Sequence, residues 1–422
     1  MTLFDEFKWR GMVYDATEGT AEMLARERVT CYIGFDPTAS SLHVGSLLPI
    51  MALARLQRFG HSPIALVGGG TGMIGDPSGK SQERSLLSIE EIDANARGMR
   101  GQLERFLDFT ATPNAARMVN NADWLRHVGL LEFLRDTGKH FSVNLMMSRE
   151  SVKRRLEEGI SFTEFSYQLL QAHDYLHLFR TMKCTLQMGG SDQWGNIVAG
   201  TDLIRRVENG KAHGLVLPLV TTSAGTKFGK TESGTVWLDP ARTSERDFYQ
   251  FWLNTDDRDV IKYLKFFTWL DRPAIDALEK SLQEDPSARA AQRRLAEEVT
   301  RNVHGDAALK QVQGDAALRF GGAVTAEALQ QVAPSASVSL AKIRAGLANT
   351  ELVTIAGLAK SKSEAFRLIE QGGITLNDVT VSDPRGLVTE AQALGNRYKV
   401  SKGRRNVAVV EIIPEAERGK TK

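Results

Sequence analysis

Through the first 222 residues of this 422-residue chain, short apolar runs alternate with longer segments whose apolar positions recur every three or four residues. Five runs, VTCYIGFD (29–36), SPIALVGG (62–69), ARMVNNAD (116–123), CTLQMGGSD (184–192) and LVLPLVTT (215–222), predict buried strands. Between them GSLLPIMALARLQRFG (45–60), LSIEEIDANARGMRGQLERFLDF (87–109) and TEFSYQLLQAHDYLHLF (163–179) predict helices. Such alternation predicts an α/β fold with a parallel Rossmann-type sheet, helices on both faces and ligands bound beyond the carboxyl ends of the strands. Four of the five runs end in Gly, Asp or Asn clusters, at Asp36, Gly68 to Asp76, Asn120 to Asp123 and Gly189 to Asp192, and the fifth leads into KFGKT (227–231).

Past residue 240 the pattern turns helical and strand-poor, as in DFYQFWLNTDDRDVIKYLKFFTWL, which predicts an α-helical domain over 241–330 after a first domain over 1–240. The small, polar stretch around VAPSASVSLAKIRAG predicts a linker over 331–345. A small α+β domain over 346–422 follows. Its helix SKSEAFRLIEQGG opens on a possible capping box from Ser361 to Glu364 and closes on Gly372 and Gly373, and a hairpin turning at Asn377 and Asp378 comes next.

Charge changes the picture only at the C-terminal end. The net charge is +2, but residues 341–422 carry 14 Lys plus Arg against 9 Asp plus Glu, a balance of +5, and the first 340 residues carry −3. The two cysteines, Cys31 and Cys184, have no metal-ligand spacing, which argues against a disulfide framework or a zinc site and fits a reducing compartment. The start, MTLFDEFKWRGMVYD, has no apolar run of signal-peptide length, so a cytoplasmic protein is expected.

Three glycine-rich segments imitate nucleotide sites. Gly70 to Gly75 fits GxGxxG after a strand, with Glu90 or Glu91 as the ribose acid, but DPSGKSQER interposes a turn where a dinucleotide site must open a helix. GDPSGKS misses the phosphate-loop pattern because Ile74 stands where glycine is required. In KFGKT, Lys227 and Lys230 flank a glycine and would repel each other unless an anion lay between them; alone, such a segment is more often a solvated turn.

FDPTASSLHVGS (35–46) supplies the second half of a pattern. HVGS and KFGKT together resemble the HIGH and KMSKS signatures of class I aminoacyl-tRNA synthetases. YIGFDPTASSLHVG, GGGTGMIGDPSGKSQER, FSYQLLQAHD and QMGGSDQWGNI are similar, in order and spacing, to bacterial tyrosyl-tRNA synthetases, and the last segment resembles the small S4 RNA-binding domain. The second His of HIGH is Ser46 here.

The resemblance implies ATP-dependent activation of tyrosine, with Mg²⁺ accompanying ATP and no protein-held metal, followed by transfer to tRNA(Tyr) by a homodimer. It implies that Lys227, Lys230, Thr231, His43, Lys80 and Arg84 serve the phosphates, and that Asp36, Thr38, Gly45, Ser46, Gly189 and Asp192 serve the rest of ATP. Asp76, Tyr167 and Gln171 would meet the ammonium group of tyrosine, Gln193 its carboxylate side, and Tyr32 and Asp174 its phenol. Spacing alone is silent on this. Tyr167, Gln171 and Asp174 share one helix face opposite the apolar stripe Phe165, Leu169, Ala172, Leu176 and Phe179, and such a polar face reads equally as solvent-exposed.

The tail's Lys360, Lys362 and Arg367, with Lys399, Lys402, Arg404 and Arg405 in an expected loop, suit a phosphate-contacting RNA surface. Three alternatives stand beside this reading: a tryptophan-specific relative, a nicotinamide dehydrogenase and a non-catalytic RNA-binding protein.

Overall fold

A computed structural model describes the chain except residues 77, 79–87, 111–112, 150–151, 154–158, 224, 226–227, 232–233, 321–323, 331, 404–405 and 415–422; at 230–231, 315–320 and 328 it describes the backbone alone. The chain divides into two compact units, Met1–Val303 and His304–Lys422.

The first unit is built on six strands: β1 (Asp15–Ala16), β2 (Thr30–Phe35), β3 (Ser62–Val67), β4 (Arg117–Asn120), β5 (Cys184–Gly190) and β6 (His213–Leu217). Their order is β1-β6-β5-β2-β3-β4, and every pairing is parallel except β1 with β6. The antiparallel edge β1 differs from the all-parallel expectation, because two residues carry no readable periodicity. From β2 the chain proceeds outward to β3 and β4, then returns to lay β5 on the other side of β2. The sheet therefore reverses direction between β2 and β5, and a crevice opens at their carboxyl ends.

β3 and β6 read as apolar runs for a physical reason: β3 is buried along Pro63–Val67 and β6 along its whole length, so neither face needs polar residues, whereas β4, expected to be buried, is an edge strand with Arg117 exposed and Met118–Asn120 only partly covered. On the 162–182 helix both faces are covered: Ala172 and Leu176 of the apolar stripe are in the core, and the polar face expected at the surface is buried as well. Tyr167 and Asp174 are buried against the sheet, while Phe165 and Leu169 are only partly covered.

The helices Glu245–Leu253 and Asp257–Phe267 belong to this same unit. Arg55 and Arg10 donate to the carbonyls of Lys265, Phe266, Thr268 and Leu270, at and just past the end of the 257–267 helix. Two cations thus occupy the negative end of that helix, where otherwise unpaired carbonyls gather.

The second unit holds a five-stranded sheet ordered β11-β10-β12-β13-β9, from β9 (Ala336–Ser339), β10 (Ile374–Leu376), β11 (Val379–Thr380), β12 (Arg397–Lys402) and β13 (Asn406–Ile413). The stretch 331–345 expected as a linker is instead part of this fold. β9 pairs in parallel with β13, and Val338 and Ile343 enter the core. Two apolar residues five apart among Ser and Ala are enough to bury the segment, but too few to announce it. Ser361 caps its helix through the Glu364 N–H, while the Glu364 carboxylate accepts from the Lys360 N–H rather than closing a capping box on Ser361. Asn377 and Asp378 turn the hairpin with φ of 47° and 68°.

Candidate active site

The crevice at the β2/β5 switch is a cleft of about 200 Å³. It brings together Tyr32, Asp36, Asp76, Tyr167, Gln171, Asp174, Gly189 and Gln193, eight of the residues singled out from sequence. The helix 162–182 supplies Tyr167, Gln171 and Asp174 from one face, as the i, i+4, i+7 spacing dictates.

At one end lies Asp174, almost fully buried. Its Oδ1 accepts from the Trp124 indole at 2.7 Å and its Oδ2 from the Asn121 amide at 2.8 Å. Burial pushes its carboxyl up to about 7, against the pull of those two donors. The Tyr32 hydroxyl is buried beside it and finds no hydrogen-bond partner among the described residues. Burial, then the Asp174 charge, raises that phenol well above its ordinary value, so it remains a hydroxyl with a proton to give. A buried, unpaired hydroxyl is costly, and a ligand oxygen reaching both Tyr32 and Asp174 would relieve it.

At the other end Asp76 accepts from the Gln193 amide at 2.6 Å and from the Ser78 N–H at 2.9 Å. Gln171 donates to Gln193, and Asn196 donates to both glutamines, which fixes the rotamers of the whole rim. Burial, then the neighbouring Asp36 charge, pushes Asp76 up to about 6. The desolvated Asp76 carboxylate, with a second carboxylate near it at Asp36, makes this end a receptor for a cationic group.

These values predict a pH dependence with a definite sign. A ligand that requires both groups as carboxylates must displace their protons, so its affinity is full above pH ~8 and falls first near 7, then near 6. Equilibrium binding of tyrosine between pH 5 and 8 checks this. A flat profile would contradict the two-carboxylate site.

Beside the cleft, HVGS comes several residues after the end of β2 and enters the 47–58 helix through the turn Val44–Ser46. His43 Nδ1 accepts the Gly45 N–H at 3.0 Å, so in the neutral ring the proton sits on Nε2. The imidazole lies directly over residue 45, where a Cβ would come within 2.7 Å of it. That contact is why glycine must stand two places after the histidine. Thr38 follows β2 and Asp192 lies on the turn Ser191–Gln193 after β5.

The two signature segments touch. Val44 N–H donates to Val236 O at 3.0 Å, Leu238 N–H to Leu42 O at 2.9 Å, and Val236 N–H to Gly229 O at 3.0 Å. Gly229 has φ of +80°, and a Cβ there would meet Val44 Cγ2 at 2.6 Å, so only glycine fits. Phe228 is buried within 4.9–5.7 Å, ring to ring, of Phe251, Trp252, Tyr263 and Phe267. Lys230–Thr231 forms β7, paired with β8 (Gly234–Thr235). Lys80, Arg84, Lys227, Arg404 and Arg405 lie outside the described residues, as do the side chains of Lys230 and Thr231.

Sequence reasoning missed Asn121, Trp124 and Phe228. The cluster NNADW after β4 marked the crevice without indicating that two of its side chains reach a helix some fifty residues away. In the second unit, Lys360 and Arg367 are exposed, Lys362 pairs with Glu351, and Lys402 reaches Leu358 O and Glu364. Lys399 lies in β12, not a loop; it is buried and paired with Asp378 at 2.6 Å, which removes it from any RNA surface.

Residues 24–321 match the family model of class I tRNA synthetases (W and Y), and residues 351–392 match the S4 domain. The tyrosine–tRNA ligase of Roseiflexus castenholzii is 51% identical over 98% of this chain and 100% of its own length. That of Anaeromyxobacter dehalogenans strain 2CP-1 is 54% identical over 96% and 97%. A C-terminally truncated mitochondrial tyrosyl-tRNA synthetase from Aspergillus nidulans superposes with a TM-score of 0.67 at 33% identity, covering 74% of this chain and 92% of its own. The chain belongs to the tyrosine–tRNA ligases of the class I tRNA synthetase family.

Proposed function

We infer that the chain attaches L-tyrosine to its tRNA in two steps within the cleft just described. The tyrosine carboxylate attacks the α-phosphorus of ATP, a carboxylate–phosphorus bond forms, the α–β phosphoanhydride breaks, and pyrophosphate leaves. A hydroxyl of the terminal adenosine of tRNA(Tyr) then attacks the acyl carbon and AMP departs. The observation that carries this reading is the polarity of the cleft, with an unpaired tyrosine hydroxyl and a carboxylate at one end and a second carboxylate at the other. Those groups match a phenol and an ammonium.

Residue roles follow from that orientation. Asp76, Tyr167 and Gln171 receive the ammonium group, Gln193 the carboxylate side, and Tyr32 and Asp174 the phenol. His43 Nε2–H meets the triphosphate, with Lys80, Arg84, Lys227, Lys230 and Thr231 around the β- and γ-phosphates, and Gly45 and Ser46 let the rest of ATP approach the helix start. Asp36, Thr38, Gly189 and Asp192 hold the rest of ATP, Asp192 at the ribose. Mg²⁺ comes bound to the ATP oxygens and offsets their charge.

The second unit takes the tRNA through Lys360, Lys362, Arg367, Lys402, Arg404 and Arg405. Large apolar side chains exposed at Leu130, Leu131, Val143, Leu145 and Phe162 support a homodimer that would cover them. Cytoplasm is the compartment we propose. No helix among the described residues is long and apolar enough to cross a membrane.

Pyrophosphate exchange into ATP, driven in turn by Tyr, Phe and Trp, tests the assignment. Tyr32→Phe is expected to lower the preference for tyrosine over phenylalanine about tenfold, the scale of one hydrogen bond, and Asp174→Asn more, with KM for ATP unchanged. An unaltered Tyr/Phe ratio in both variants would sink the phenol assignment.

A further inference from the structure

The segment WLDPART, just past the signature loop, has no role in the assignments above. Its fold begins with a turn. Arg242 N–H donates to Asp239 O at 3.0 Å, with Pro240 at the second position of the turn and Asp239 at the first, the residues this turn favours. The turn carries the chain back so that the Arg242 guanidinium carbon lies 3.4 Å over the Trp237 ring. Trp237 N–H donates to Thr243 Oγ1 at 2.9 Å, which locks the same turn from inside. The Trp237 indole also meets the His43 imidazole, ring centres 6.2 Å apart and planes at 72°, and the two residues form an antiparallel bridge.

The result is a chain of contacts, the guanidinium lying over the indole and the indole meeting the imidazole edge to face. His43 has one nitrogen committed to the Gly45 N–H, and its χ angles are further restrained by the indole edge. A half-buried indole alone could rotate away. A cation held against its outer face by a turn makes that rotation costly, because the guanidinium–ring attraction would be lost. The same strand that carries Trp237 bonds to both Leu42 and Val44, so these side chains and the HVGS backbone are set by one set of contacts.

We propose that Trp237 and Arg242 are positioning residues for the ATP-dependent step, aiming the His43 imidazole through the Arg242–Trp237–His43 contacts. The inference rests on the reading of His43 as an ATP contact. Neither residue touches substrate; both act through the histidine.

The test is a double-mutant cycle in the full-length chain, read by pyrophosphate exchange and by KM for tyrosine. His43→Ala is expected to lower the rate of adenylate formation about 10²-fold, the scale for one preorganised contact. Trp237→Leu lowers it about tenfold through misplacement of the ring, and Arg242→Gln by about threefold, with KM for tyrosine unchanged in every variant. Trp237→Phe, which keeps an aromatic edge, restores most of the rate.

In the His43→Ala background, Trp237→Leu and Arg242→Gln cost nothing further, which a general structural role would not produce. If they cost the same factor with and without His43, the proposal is overturned. If His43→Ala alone leaves the rate unchanged, the ATP role of His43 fails instead, and the positioning role goes with it. Arg242 is exposed, so Arg242→Gln keeps the cycle decisive even if Trp237→Leu melts early.

Discussion

Replacing Lys230 or Lys227 by alanine is expected to slow formation of tyrosyl-adenylate by about 10² or more, while equilibrium binding of tyrosine barely changes. Negative charge grows on the bridging and terminal oxygens as pyrophosphate departs, and phosphoryl-type transfers depend on positioned positive charge more than on covalent help. The loop that carries both lysines is held on two sides. Phe228 is buried among four aromatic rings and Gly229 lies against Val44. The backbone between the two lysines is thereby fixed at Phe228 and Gly229. The tyrosine cleft is lined by other segments entirely, which is why its affinity should not follow. Stopped-flow rates of adenylate formation beside equilibrium dialysis of tyrosine decide the matter. Equal losses in both would mean that the loop merely supports the fold.

Removing residues 304–422 should separate the two half-reactions. Activation of tyrosine is expected to survive, because every residue assigned to tyrosine or ATP lies before residue 232 and the first unit, Met1–Val303, has its own sheet and core. Transfer to tRNA should fall about 10² or more at moderate salt, the loss that several phosphate contacts carry. The cut belongs at the unit boundary. A cut near residue 346 would strip β13 from β9 and leave Val338 and Ile343 exposed. A truncated chain that charges tRNA as well as the intact one, at matched salt, would refute an RNA-binding role for the second unit. Charging by the intact protein should also weaken as salt rises, far more than pyrophosphate exchange does.

The central sheet was legible because a parallel strand covered on both faces has to be apolar throughout, as β3 and β6 are. The crevice was legible because chain ends there need Gly, Asp and Asn. The helix bearing Tyr167 and Asp174 was ambiguous, since periodicity separates two faces without saying which one is dry. The burial of Lys399 escaped notice for a related reason. Tyr398 and Val400 fill one face of β12, and the opposite face is covered by Asp378, a residue whose position depends on a hairpin turn. Phe228 was overshadowed by the charges on either side of it. The aromatic rings that receive it come from helices some twenty to forty residues further on, a contact that no local pattern encodes.

Asn121 and Trp124 set a limit on how this enzyme could be taught a new amino acid. Asn121 accepts from the Gly70 N–H and donates to Thr71 and Asp174, while Trp124 donates to Asp174 alone and is stacked on His177 at 4.3 Å. Exchanging Asp174 for an apolar residue to admit a para-substituted phenylalanine would remove one acceptor and strand two donors, each at about 1–3 kcal/mol. The path to altered specificity therefore runs through at least three positions changed together, and single-site libraries at residue 174 would return mostly crippled proteins.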